Sequence, residues 1–155
     1  YNDDDRSSKI KIFLNRIIPI RLRYQFLIEL HELLGTYLCL DTFYLSPDQI
    51  LSMDKMGMII GSHSHSHTLM SSLSRIRQGY EIERSTNFLF QLLGFSPKIF
   101  SFPYGRASSF NEDTINLLKQ KNYSYAFSVE SRDIELNDNP FEIPRYNSNE
   151  TLKIY

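Results

Sequence analysis

From Arg21 onward, apolar residues recur at three- and four-residue steps. Leu22, Phe26, Leu30 and Leu33 share one side of a predicted helix that Gly35 stops. His31 sits at the edge of that stripe and is assigned no role, because a lone helical histidine is ordinary packing or surface. The stretch SPDQILSMDKMG predicts a second, short helix, with Ser46 as cap, Pro47 in the first helical position, Gln49 completing a capping box and Gly57 as the stop. MIIGS, residues 58–62, then predicts a short buried strand. A longer helix is expected over Arg75–Leu93, with Ile82, Leu89, Leu92 and Leu93 on one face and Gly94 ending it. Gly79 inside it costs roughly 1 kcal/mol relative to alanine. KIFSF predicts the next strand and Asn111 caps the next helix, while YSYAFSVE alternates as a strand at Tyr125, Phe127 and Val129. Strand, helix, strand, helix, strand with short links implies parallel strands joined by right-handed crossovers. The expected fold is therefore α/β, an open layer or part of a (β/α) barrel, with chemistry beyond the C-terminal ends of the strands.

Composition narrows the picture. The 155 residues, 41% hydrophobic and 14% aromatic, make one globular domain's worth of chain rather than a disordered one. A net charge of −1 without a basic run excludes the electrostatic footprint of a nucleic-acid binder. Apolar runs are broken by charges before a membrane span is reached, and the single Cys39 excludes an intrachain disulfide. The acidic start YNDDDRSS suggests a loose N-terminal segment over residues 1–20. A first residue of Tyr with no secretion signal suggests a processed or fragmentary chain.

His63, His65 and His67 follow directly on the MIIGS segment, at the strand end where α/β folds place ligands. A solvated Ser/His loop is one reading. The other is metal ligation, since neutral imidazole is the commonest protein ligand for zinc. Two pairings are open. If the strand continued, His63 and His65 would share a face; if the loop coiled into a helical turn, His63 and His67 would converge. An H-x-H pair after a strand also occurs in amidohydrolase barrels, but those draw further histidines from later strands and no histidine follows His67 here.

Several stretches together carry a resemblance. DKMGMIIGSHSHSHTLMSSLS contains H-S-x-x-H after a short apolar run, PKIFSFPYG ends in P-Y-G, NEDTINLLKQKNYSYAFSVE follows it, and EIPRY lies near the C-terminus. In that order they resemble the polysaccharide deacetylase family, also called the NodB-homology or chitooligosaccharide deacetylase family, over about Leu45 to Tyr146. The resemblance implies an incomplete or distorted (β/α) barrel, with residues 21–57 as a helical insertion and 58–146 as the motif-bearing β/α units of a C-terminal part spanning 21–155. It implies a hydrolase that removes N-acetyl groups from a carbohydrate with the help of a divalent metal, zinc first. By the same resemblance His63 and His67 are metal ligands and His65 a variable middle position. Tyr104 is the residue whose backbone N–H donates to the oxyanion, and Ser64, Pro103 and Gly105 support the loops, with a cis bond or tight turn at Pro103 aiming that N–H. Arg106 and Arg145 are candidates for substrate contact, with a solvated side chain the alternative for each.

The departures are specific. The family's early aspartate pair, which supplies a base and a third ligand, has no counterpart. Asp3, Asp4 and Asp5 imitate it, but no apolar strand precedes them. Pro97 and Ser101 stand where the family commonly carries arginines, the chain has no Trp, and no histidine serves as a C-terminal general acid. The expected reading is the C-terminal two-thirds of a deacetylase domain separated from its aspartate-bearing front. A catalytically inactive carbohydrate-binding relative and a module with a structural metal site remain as alternatives.

Overall fold

The computed structural model of the chain describes residues 5–35 and 44–146, apart from the side chains of residues 15, 16 and 20. Cys39, Asp3 and Asp4 lie outside the described residues. The chain forms two compact units, Tyr1–Ser46 and Pro47–Tyr155. The Pro47 helix, within the expected 21–57 insertion, falls in the second unit.

The first unit is helical. α1 runs over Asp5–Ile12 and continues into a π-helical turn, Phe13–Ile17, where the Ile18 N–H donates to the Phe13 carbonyl at 3.0 Å. Residues 5–17 are therefore not the loose segment the acidic start suggested. Pro19 ends this run, because the residue before a proline is pushed out of the helical region, and Ile18 is extended with ψ 126°. α2 spans Ile20–Leu34, and Gly35 closes it in the left-handed conformation at φ 59°. Within the unit, the Phe13 and Phe26 rings meet edge to face at 6.1 Å.

The second unit contains α3 (Pro47–Lys55), α4 (Arg75–Leu93), β1 (Ile99–Ser101), α5 (Glu112–Gln120) and β2 (Tyr125–Phe127). β1 and β2 pair in parallel, Phe100 opposite Ala126. A parallel bridge from Ser62 to Phe100 adds a backbone segment outside β1, and another from Phe127 to Ile143 adds one outside β2. Four parallel segments thus lie side by side in chain order, with α4 and α5 as crossovers. The architecture is α/β.

MIIGS is not a strand. It joins β1 only at Ser62, while Met58 and Ile59 are 50% and 80% exposed. At its start the Met58 N–H donates to the Met53 carbonyl at 3.1 Å, at the end of α3, rather than to a strand. β2 departs from expectation in its facing. Ala126 and Ser128 are buried, whereas Tyr125 is 49% exposed, because the positions turned toward the helical layer are the small ones.

The core lies between the sheet and α4 and α5. It comprises Met70, Ile82, Phe100, Phe102, Phe110, Leu118, Tyr123 and Ala126. Phe102 stacks on Phe110 with centroids 3.8 Å apart, and Phe100 meets Tyr123 edge-on at 5.7 Å. Full burial of one such ring stabilises the fold by roughly 1.5–3 kcal/mol. α4 begins at Ser74, whose hydroxyl accepts from the Arg77 N–H, and ends at Gly94 with φ 81°. Its buried face includes Ile82 and Leu89 but also Gln78, Glu81, Ser85 and Thr86, while Leu92 and Leu93 are only half-buried. These polar groups are paired. Gln78 Oε1 accepts from Thr114 Oγ1 at 2.6 Å, and Thr86 Oγ1 lies 2.8 Å from the Tyr123 hydroxyl. α5 opens with a capping box between Asn111 and Thr114.

Candidate functional site

The C-terminal ends of the first two parallel segments carry the histidine loop and the P-Y-G turn. The Ser62 N–H donates to the Ile99 carbonyl at 2.9 Å, and the Ser101 N–H donates to the Ser62 carbonyl at 2.8 Å. The parallel register therefore fixes His63 beside Ser101. His63 Nδ1 lies 2.6 Å from the Ser101 carbonyl oxygen. Since a carbonyl only accepts, this contact assigns the proton to Nδ1 and leaves Nε2 as the lone-pair nitrogen, the arrangement found in metal-ligating histidines.

His63 and His67 come together through neither a continued strand nor a helical turn. Ser64 and His67 both adopt left-handed backbone, at φ 64° and 52°, and curl the loop back on itself. For an L-residue that conformation costs roughly 1–2 kcal/mol. Ser64 Oγ accepts from the His67 N–H at 3.1 Å and spans the curl. The two rings meet edge-on with centroids 4.8 Å apart, and the Tyr104 ring meets His67 at 5.0 Å. His65 is exposed and, with Phe88 and Leu89 of α4, lines a shallow hollow beside the loop.

The P-Y-G segment turns tightly without a cis bond; every peptide among the described residues is trans. Pro103 is fully buried, and Tyr104 and Gly105 follow in left-handed backbone at φ 63° and 67°. The Gly105 carbonyl accepts from the Val129 N–H at 2.7 Å. A Cβ on Gly105 would stand 2.4 Å from Val129 Cγ2 and 2.9 Å from Val129 N, so glycine is required both by conformation and by space.

Desolvation holds the His63 pKa below its usual 6.5, and the charges of His67 and Arg145 push in the same direction, against the hydrogen bond to Ser101. The Arg145 charge thus acts on His63. Arg106 is exposed on the loop beyond Gly105, where its carbonyl accepts from Ser109. The structure brings His63, Ser64, His67 and Tyr104 into contact and leaves Arg106 outside that cluster.

Glu81 was not anticipated. It stands on α4 at 8% exposure, and its Oε2 accepts from the His65 N–H at 3.1 Å and the Ser66 N–H at 2.8 Å. Its Oε1 accepts from Ser66 Oγ at 2.7 Å. Ser62 Oγ adds a second tie to α4, donating to Ser85 Oγ at 2.8 Å. The available signal was a polar stripe, Gln78, Glu81 and Ser85, at helical spacing alongside Ile82 and Leu89.

Tested against a divalent transition metal, the pair fits in donor chemistry and in the tautomer that Ser101 selects. A catalytic zinc takes three protein ligands plus water. Among the described residues no group of three His, Cys, Asp or Glu side chains comes together, so the described residues furnish two donors. The Ser101 hydroxyl, beside His63, is buried with no partner among the described residues.

Comparison with known proteins places these features in context. A search of curated protein sequences returns no match. Among solved structures, the chain is similar to the Streptococcus pyogenes deacetylase PplD in complex with acetate, at 20% identity and a TM-score of 0.61 over 66% of this chain and 44% of that one. It is similar to IcaB from Ammonifex degensii at 22% identity and 0.58, over 70% and 51%. The BpsB deacetylase domain from Bordetella bronchiseptica aligns at 16% and 0.59, over 67% and 49%. At these identities the likeness establishes the fold, and the chain spans about half the length of these relatives. The family model for polysaccharide deacetylase matches residues 25–126, a stretch that contains the histidine loop, its Glu81 anchor and the P-Y-G turn. With more than half its length inside that match, the chain belongs to the polysaccharide deacetylase family.

Proposed function

We propose that this chain is part of a metal-dependent carbohydrate N-deacetylase, with His63 and His67 as two of its metal ligands. The observation that carries the reading is the convergence of His63, His67 and Tyr104 at the C-terminal ends of two parallel segments. In this reading the four parallel segments are an arc of a (β/α) barrel, and the partner is an N-acetylated carbohydrate. A bound divalent ion, zinc first, supplies Lewis-acid polarisation of the acetyl carbonyl and activation of water.

The chain's own residues do the rest. The Ser101 carbonyl keeps His63 in the tautomer that offers Nε2, and Ser64 accepts from the His67 N–H and so braces the curl that carries His67. Pro103 and Gly105 set the turn from which the Tyr104 N–H donates to the developing oxyanion. Arg145, whose charge acts on His63, is a candidate cationic donor to a sugar hydroxyl or acetyl oxygen. Arg106 is a second, outlying contact. The lowering of the His63 pKa by desolvation favours the neutral imidazole, the form in which it ligates.

Amide resonances of the chain test the substrate class. In the presence of Zn2+, an N-acetylglucosamine oligomer is expected to shift the Tyr104 and Gly105 N–H signals, and the corresponding glucosamine oligomer to leave them unmoved. Equal shifts with both sugars, or none at Tyr104, would contradict the proposal.

A further inference from the structure

We infer that Glu81 is the positioning residue of the histidine pair: a buried carboxylate on α4 that holds the middle of the loop and thereby sets the distance between its two ends. The inference rests on the reading of His63 and His67 as ligands. Residues 65 and 66, the two that Glu81 grips, lie midway between the histidines in sequence. Ser64 and His67 flank that grip in left-handed backbone, a conformation that persists only where surrounding contacts over-determine it. Three acceptor contacts from one rigid helical residue supply that constraint. Ser66 Oγ passes it on to Thr68 Oγ1 at 2.8 Å, and Thr68 is itself buried. The opposite end is fixed independently, by Ser62 on β1 and by the Ser101 carbonyl on His63. Glu81 is therefore the tie that α4 makes to the far half of the loop.

The network distinguishes shape from charge. In Glu81→Gln the amide oxygen replaces Oε2 and accepts from both backbone N–H groups. The amide NH2 then donates to Ser66 Oγ, whose own proton turns to Thr68 Oγ1, an orientation that the hydroxyl pair already permits. Every bond is kept. Glu81→Ala loses all three.

Two readouts on the folded chain test this: the nuclear Overhauser contact between the His63 and His67 rings in the free protein, and Zn2+ affinity. Glu81→Ala is expected to lose the ring contact and to weaken Zn2+ binding at least about tenfold, as loss of an outer-shell partner does. Glu81→Gln is expected to keep the ring contact and to stay within about threefold of the parent affinity. If Glu81→Ala fails to fold, Glu81→Asp decides, because its carboxylate is one methylene short of the loop and both readouts should fall. An alanine or aspartate variant that folds with ring contact and affinity unchanged would overturn the inference, as would a glutamine variant that loses both. A parent chain that shows the ring contact yet takes up no Zn2+ contradicts the ligand assignment, and the ring contact alone then decides the role of Glu81.

Discussion

Gly105 has no space for a side chain, and this makes it the sharpest residue-scale test of the P-Y-G turn. Gly105→Ala places a methyl 2.4 Å from Val129 Cγ2 at a positive φ, and a loss of about 2–4 kcal/mol in urea denaturation is expected. A loss under about 0.5 kcal/mol would mean that the turn is differently built. His63 gives the second residue-scale test. Its folded pKa lies below the unfolded value, so as pH falls through 6.5 the unfolded chain takes up this proton before the folded one. The stability contributed by a neutral His63 is present above pH 6.5 and declines as pH drops below it, with the loss complete below the folded pKa. An NMR titration should place the His63 midpoint below that of a free histidine, and a midpoint at or above 6.5 would refute it. Legibility at this scale followed compactness in sequence. His63 and His67 are named by one five-residue motif, whereas Glu81 acts across fifteen residues of chain, and a glutamate within an amphipathic helix reads as solvated until its partners are seen.

Helices were more legible than strands. Arg75–Leu93 has its start at Ser74 and its stop at Gly94, both local signals, and Asn111 caps the next helix as its residue type predicts. Strands depend on neighbours. MIIGS is apolar enough for a buried strand, yet among the described residues it pairs only at Ser62, because a ladder needs a partner that no local pattern supplies. The facing of β2 was hidden for a related reason: the aromatic Tyr125 attracts a core assignment, while the helical layer covers Ala126 and Ser128. Gly79 tests the energetics of α4. It has no positive φ, and an added Cβ would meet Leu117 Cδ2 at 3.7 Å, an ordinary contact. Gly79→Ala is therefore expected to stabilise the protein by about 1 kcal/mol in denaturant melts. Destabilisation would show that the contact with α5 is tighter than 3.7 Å.

At the scale of the whole molecule, the buried hydrophobic cluster of the described residues falls within the second unit, from Met70 to Ala126. Residues 47–155 alone are accordingly expected to unfold in one cooperative transition by circular dichroism; a gradual, non-cooperative melt would contradict this. Alternating helices and short strands made the α/β class readable from the chain. The extent of the sheet was not, since four parallel segments with two single bridges follow from pairing rather than from periodicity.

The central claim is that His63 and His67, and not His65, hold a divalent metal. Calorimetric titration with Zn2+ of the parent chain and three alanine variants tests it most directly. His63→Ala and His67→Ala are expected to abolish tight binding, and His65→Ala to leave it within about threefold, because the His65 ring stands outside the pair whose rings meet at 4.8 Å. Equal losses from all three, or tight binding that survives the loss of His63 or His67, would contradict the account.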